Sequence, residues 1–130
     1  MDIEELWVFN TEGLPLAEIN NVIRSPNSSL FGGLISAVQS ISGMFYEKGL
    51  SYMELGDSMF VIKSCLNDSI TIVCRANKKK SRKKVEKIVE IFSDLINKKF
   101  QKIINWMGNV VESQEIQVAI NDLYFQIIKV

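Results

Sequence analysis

No histidine occurs anywhere in the 130 residues. That removes the commonest general base and the commonest zinc ligand. The other groups able to do chemistry are scattered. Cys65 and Cys74 lack CxxC spacing and fall in separate candidate strands. They read as reduced, buried, small apolar residues of a cytoplasmic protein. Glu4, Glu5 and Glu12 are acidic, but no spacing brings two carboxylates into one pocket, so they read as lone surface acids. Ser28 and Ser29 precede a helix with no base nearby and read as capping residues. Gly32-Gly33 is not followed by the Lys-Ser/Thr that phosphate cradling needs, and no P-loop, GxGxxG, EF-hand or zinc pattern fits. The expectation is a protein that is not an enzyme and carries no cofactor, nucleotide or tightly bound metal.

Two patterns point to surfaces instead. The first is Lys78-Lys79-Lys80-Ser81-Arg82-Lys83-Lys84. Overall the chain balances 15 basic against 15 acidic residues. This run holds six of the basic ones and none of the acidic ones, leaving nine against 15 elsewhere. Neutrality therefore hides a dipolar molecule. Besides a plain solvated loop, Lys78, Lys79, Lys80, Arg82, Lys83 and Lys84 suit an anionic membrane surface or an acidic partner. Nucleic acid is less favoured, because grooves for it mix aromatics among the basic residues and this run has none.

The second pattern is the helical segment from about Ser29 to Glu47. At about 100° per residue, Leu30, Leu34, Ala37, Val38, Ile41 and Phe45 share one face and read as a core stripe. The other face is small and nearly uncharged: Gly32, Ser36, Gln39 and Gly43, flanked by Phe31, Ile35 and Tyr46. Glycine inside a helix costs about 1 kcal/mol relative to alanine, so close packing against this face is expected. The expected occupant is a partner protein, approaching through Phe31, Gly32, Ile35, Ser36, Gln39, Gly43 and Tyr46.

The elements that must position these residues follow from periodicity and punctuation. Glu5 to Asn10 and Leu16 to Val22 read as a hairpin around Thr11-Glu12-Gly13-Leu14-Pro15. After the first helix, Leu50 to Leu55, Ser58 to Leu66 and Ser69 to Ala76 read as three strands joined by turns at Gly56-Asp57 and Asn67-Asp68. The second turn pairs Cys65 with Ile70 and Val61 with Cys74. Both faces of that hairpin are then apolar, which calls for helices on both sides of the sheet. A second helix runs from Lys80 to about Met107, with Val85, Val89, Phe92, Ile96, Phe100, Ile103 and Met107 as its stripe. A third fits Glu115 to Lys129. Trp7 reads as core, while Trp106 lies beside the stripe. The fold class is α+β, a five-stranded antiparallel sheet with helices on both faces, in the order β-β-α-β-β-β-α-α. One domain spans 1–130.

This order resembles the longin domain. Leu34-Ile35-Ser36-Ala37-Val38 looks like the small-residue and leucine pattern of the longin first helix. Leu50 to Gly56 and Met59 to Lys63 look like the strands that follow it. Thr11-Glu12-Gly13-Leu14-Pro15-Leu16-Ala17 is similar to the first hairpin of both longin and roadblock domains, which are related in fold. Roadblock domains usually begin with a helix, whereas this chain begins with a strand and has room for two terminal helices. The resemblance implies a non-catalytic interaction module. It would form a homodimer, or a heterodimer with a related longin or roadblock module, and serve small-GTPase regulation or membrane trafficking. The acidic N-terminus is unlike a secretory signal, so a cytoplasmic location is expected, with peripheral membrane contact where the basic run is used. The alternative is a basic-patch adaptor for anionic membrane or nucleic acid.

Overall fold

The computed structural model describes residues 3–22, 26–45, 50–100 and 110–128. Its elements are β1 (Glu5–Asn10), β2 (Pro15–Asn20), α1 (Ser28–Phe45), β3 (Tyr52–Leu55), β4 (Ser58–Cys65), β5 (Ile70–Asn77), α2 (Arg82–Lys99) and α3 (Val110–Ile128). All five strands form one antiparallel sheet in the order β2-β1-β5-β4-β3. The first hairpin therefore docks its β1 against the last strand, and α1 carries the chain from one edge of the sheet to the other.

The β4–β5 register is the one read from the sequence: Cys65 faces Ile70 and Val61 faces Cys74. Leu66, Asn67 and Asp68 turn the chain there with positive φ angles of 52°, 54° and 65°. Alternation then sends Val61, Cys65, Ile70, Ile72 and Cys74 to one face, where they pack with Val85, Val89, Phe92 and Ile96 of α2 and Ile116, Ala119 and Ile120 of α3. The opposite face carries Trp7, Phe9, Phe60, Ile62 and Val73 beneath Phe31 and Ile35 of α1. Both sheet faces are covered, as two apolar faces require.

Local chemistry sets the helix ends. Asn27 Oδ1 accepts from the Leu30 amide at 3.0 Å and opens α1. Ser81 caps α2 by accepting from the Lys84 amide, and Phe100 closes it with its own amide on the Ile96 carbonyl. Ile103, Trp106 and Met107 lie outside the described residues.

One acid is misread from the sequence. Glu5 is not a surface residue: it is fully buried. The β1–β5 register sets it directly across from Arg75, whose guanidinium donates to Glu5 Oε1 at 2.8 Å and approaches Glu4 Oε2 at 3.1 Å. Nothing local signals this, because the two partners are 70 residues apart.

Candidate interaction surface

Helix α1 is turned over relative to the reading from periodicity. The supposed core stripe points outward: Leu30, Ile41, Met44 and Phe45 are 77%, 58%, 82% and 75% exposed, and Leu34 and Ala37 are exposed with them. The face expected to meet a partner points inward, with Phe31 and Ile35 only 7% and 2% exposed. The reason lies in the sheet. Trp7, Phe9 and Phe60 fill the space beneath α1, with Phe31 packed 4.6 Å from the Trp7 ring centre. Phe31 and Ile35 complete this layer, and Gly32 lets the helix come against the Gly13 turn.

The anticipated interface residues resolve one by one. Gly32 does need close approach, but its neighbour is internal. A Cβ there would lie 1.9 Å from the Gly13 carbonyl oxygen, and Gly13 itself turns the β1–β2 hairpin at φ +84°. Ser36 donates its hydroxyl to the Thr11 carbonyl at 3.0 Å. Gln39 clamps Leu50 from both sides: its amide donates to the Leu50 carbonyl at 3.0 Å and accepts from the Leu50 amide at 2.7 Å. Gly43 is exposed, with open space where a Cβ would stand. Tyr46 lies outside the described residues. Phe31, Gly32, Ile35, Ser36 and Gln39 therefore hold α1 to its own sheet and are corrected from partner interface to internal packing.

The sheet has two edges, and they are treated differently. Along β2, Gln117 of α3 imitates a neighbouring strand. Its side chain accepts from the Glu18 amide at 2.9 Å and donates to the Glu18 carbonyl at 2.8 Å. Asn21 adds a hydrogen bond to the Tyr124 hydroxyl at 2.7 Å. The β3 edge differs: among the described residues β3 pairs with β4 alone, from Tyr52 opposite Val61 to Leu55 opposite Ser58, and no described side chain is seen to cap it as Gln117 caps β2. The Gln39 clamp on Leu50 ties α1 to the segment that leads into β3. Neither the Gln117 device nor the reversed helix has a signature in the sequence: one is a long-range contact and the other a choice between two apolar stripes.

The basic run forms the β5–α2 connection and the first turn of α2, and all six cations are exposed. It lies beside the β3–β4 hairpin. The Lys78 amide donates to the Asp57 carbonyl at 2.9 Å, and the Lys78 ammonium stands 3.8 Å from the Asp57 carboxylate. Arg82 lies over the Tyr52 ring at 3.8 Å and bonds Glu86 at 2.7 Å. Tyr52 in turn donates to Glu54, which raises its pKa above the usual value. Burial pushes the Cys65 thiol up to about 12 and the Cys74 thiol higher still, so both are poor nucleophiles. Trp7 is buried, and among the described residues its indole N–H meets no hydrogen-bond acceptor. Among the described residues no three His, Cys, Asp or Glu side chains gather where they could share a metal ion, and no helix is long and apolar enough to cross a membrane.

Solved structures share this arrangement. MglB from Myxococcus xanthus superposes with a TM-score of 0.64 at 11% identity, over 78% of this chain and 85% of that one. The chain has a roadblock/longin-like fold. A roadblock/LC7 domain from Streptomyces avermitilis gives a TM-score of 0.62 at 9% identity, over 75% of this chain and 85% of that one. An MglB described in a tetrameric arrangement gives 0.55 at 11% identity, over 68% and 71%. No protein-family model and no curated protein matches the sequence. At such low identity the likeness is one of shape. Within the roadblock/longin-like frame, this chain puts two helices after the last strand and a strand at its start.

Proposed function

We propose that this chain is a non-catalytic interaction module that pairs with a second copy of itself, or with a related roadblock/longin module, through the outer face of α1 and the open edge of β3. One observation carries the reading: an 18-residue helix leaves Leu30, Leu34, Ile41 and Met44 exposed, and β3, at the edge of the sheet, pairs among the described residues with β4 alone. Contiguous apolar surface of this kind is rare on a monomer and marks an interface. A similar protein is described in a tetrameric arrangement, which supports assembly as a property of the shape. The longin resemblance adds the finer role, presentation of a paired surface to a small GTPase, in the cytoplasm. The interface is the one expected from the sequence in element but not in residues: the same helix, with its opposite face.

Replacing Leu34 and Ile41 together by Asp tests it. Both lie on the exposed face, so the fold should survive, with an unchanged far-UV circular dichroism spectrum. The native protein should scatter light as a pair at micromolar concentration and the double variant as a monomer. A native protein that stays monomeric at high concentration, alone and mixed with candidate partner modules, overturns the reading.

A further inference from the structure

We infer that pairing assembles an anionic-lipid-binding surface on the side of the sheet opposite α1, with the basic run from each copy flanking the two-fold axis. The inference rests on the pairing proposed above and takes it further.

Its geometry begins at β3. Two copies that join their β3 edges in antiparallel fashion are related by an axis perpendicular to the sheet. Such an axis keeps each sheet face on its own side. The two α1 helices then meet on one face, and the two α2 helices lie together on the other. Within each copy the basic run is anchored beside β3: Arg82 sits over Tyr52 at 3.8 Å, and the Lys78 amide bonds Asp57 of the β3–β4 turn. The N-terminal turn of α2 is therefore the part nearest the axis. Pairing brings two such runs side by side on one face.

The character of that face favours a bilayer. Every cation of the run is exposed, with Asp57 beside Lys78 and Glu86 beside Arg82. Farther from the axis, the same outward side offers apolar groups. Ile91 of α2 and Val118 and Phe125 of α3 are 44%, 58% and 57% exposed, and α2 and α3 cover the same sheet face. At about 100° per residue, Ile91 shares its side of α2 with Lys84 and Lys87. Cations able to reach lipid phosphates, with apolar side chains among them, are what an anionic interface accepts. RNA would need aromatic platforms between the cations, and among the described residues the ring found at the run, Tyr52, is already covered by Arg82.

The test is sedimentation with phosphatidylcholine vesicles, with and without about one third phosphatidylserine, over a salt series. Three proteins are compared: the native chain, the triple variant Lys79→Glu, Lys83→Glu, Lys84→Glu, and the Leu34→Asp, Ile41→Asp variant. Light scattering records the oligomeric state of each. The native pair should bind only the anionic vesicles and release them as salt shortens the screening length to about 8 Å at physiological strength. The triple variant should remain a pair and bind at least about a hundredfold more weakly, since each basic residue near such a surface is worth about a fivefold factor and reversal also repels. The monomeric variant keeps all six cations of the run, adds two carboxylates on the opposite face of the sheet, and should bind about ten- to a hundredfold more weakly, having lost half of a bivalent contact. A native pair that ignores anionic vesicles, a triple variant that binds as well as the native chain, or a preference for single-stranded RNA over vesicles each overturns the lipid assignment while leaving the pairing intact. A native chain that scatters as a monomer overturns the pairing itself, and the composite surface with it, whatever the vesicles show.

Discussion

At the scale of single residues, the glycines show how far a cost argument reaches. A glycine inside a helix implies that something comes close, and at Gly32 something does: the Gly13 carbonyl would lie 1.9 Å from an added Cβ. The cost does not say whether that neighbour is another protein or the chain's own turn. Gly32→Ala should therefore destabilise the fold by about 1–3 kcal/mol, because the Gly13 carbonyl and the Phe9 ring stand in the way. Gly33→Ala meets nothing within 4 Å and should stabilise by up to about 1 kcal/mol, the gain in helix propensity. Urea denaturation of the two variants separates them by sign. The buried thiols make a second residue-scale prediction. Cys65 is held up to about 12 against an ordinary value of 9.0, chiefly by burial, and Cys74 is shifted in the same direction. Their contribution to stability is fully present below pH 9. Above it the unfolded chain loses thiol protons that the folded chain retains, so stability falls by about 1.4 kcal/mol per pH unit for each thiol. Denaturation between pH 8 and 10 should show that decline, and Cys65→Ala should make it shallower. Equal slopes in the native and variant proteins would count against the assignment.

At the scale of elements, the two sheet edges divide the labour. Gln117 occupies the backbone of β2 at Glu18 with one donor and one acceptor, so α3 protects that edge without adding a strand. Gln117→Leu keeps a side chain of similar size and removes both hydrogen bonds. The expected loss is about 1–2 kcal/mol, with faster hydrogen exchange at the Glu18 amide and slow association through the freed edge. Unchanged protection at Glu18 would mean that packing of Ile116, Ala119 and Ile120 alone shields β2. On the other side of the sheet, α1 exposes the larger of its two apolar stripes. The smaller stripe was sufficient for the fold, because Trp7, Phe9 and Phe60 already supply the bulk beneath it.

At the scale of the whole molecule, the two candidate surfaces lie on opposite faces of the sheet. The exposed stripe of α1 lies on one side of the sheet and the basic run on the α2 side. Pairing through α1 and β3 would couple folding to concentration: each tenfold rise in protein should add about 1.4 kcal/mol per pair, seen as a melting temperature that climbs with concentration. The Leu34→Asp, Ile41→Asp variant should melt at one temperature regardless of concentration. A native melting temperature independent of concentration over the micromolar range would place the protein among monomers.

Much of the architecture was legible in the sequence. Alternation on β4 and β5, with the turn between them, determined their register and required cover on both faces. The single stripe of α2, from Val85 to Phe100, determined which side of that helix is buried. These are local patterns with one solution each: a strand has two faces of period two, and a helix with one apolar stripe can bury only that stripe. Tertiary structure alone decided the rest. Helix α1 has two faces that could each be buried, and periodicity cannot rank them. The choice fell to the shape of the aromatic layer beneath and to the Gly13–Gly32 contact. Glu5 became a buried ion-pair partner only because β1 docks beside β5, and the β2 edge closed only because α3 returns to it. Each of these depends on residues far apart in the chain, whose meeting is fixed by the packing of the sheet and not by any signal near them.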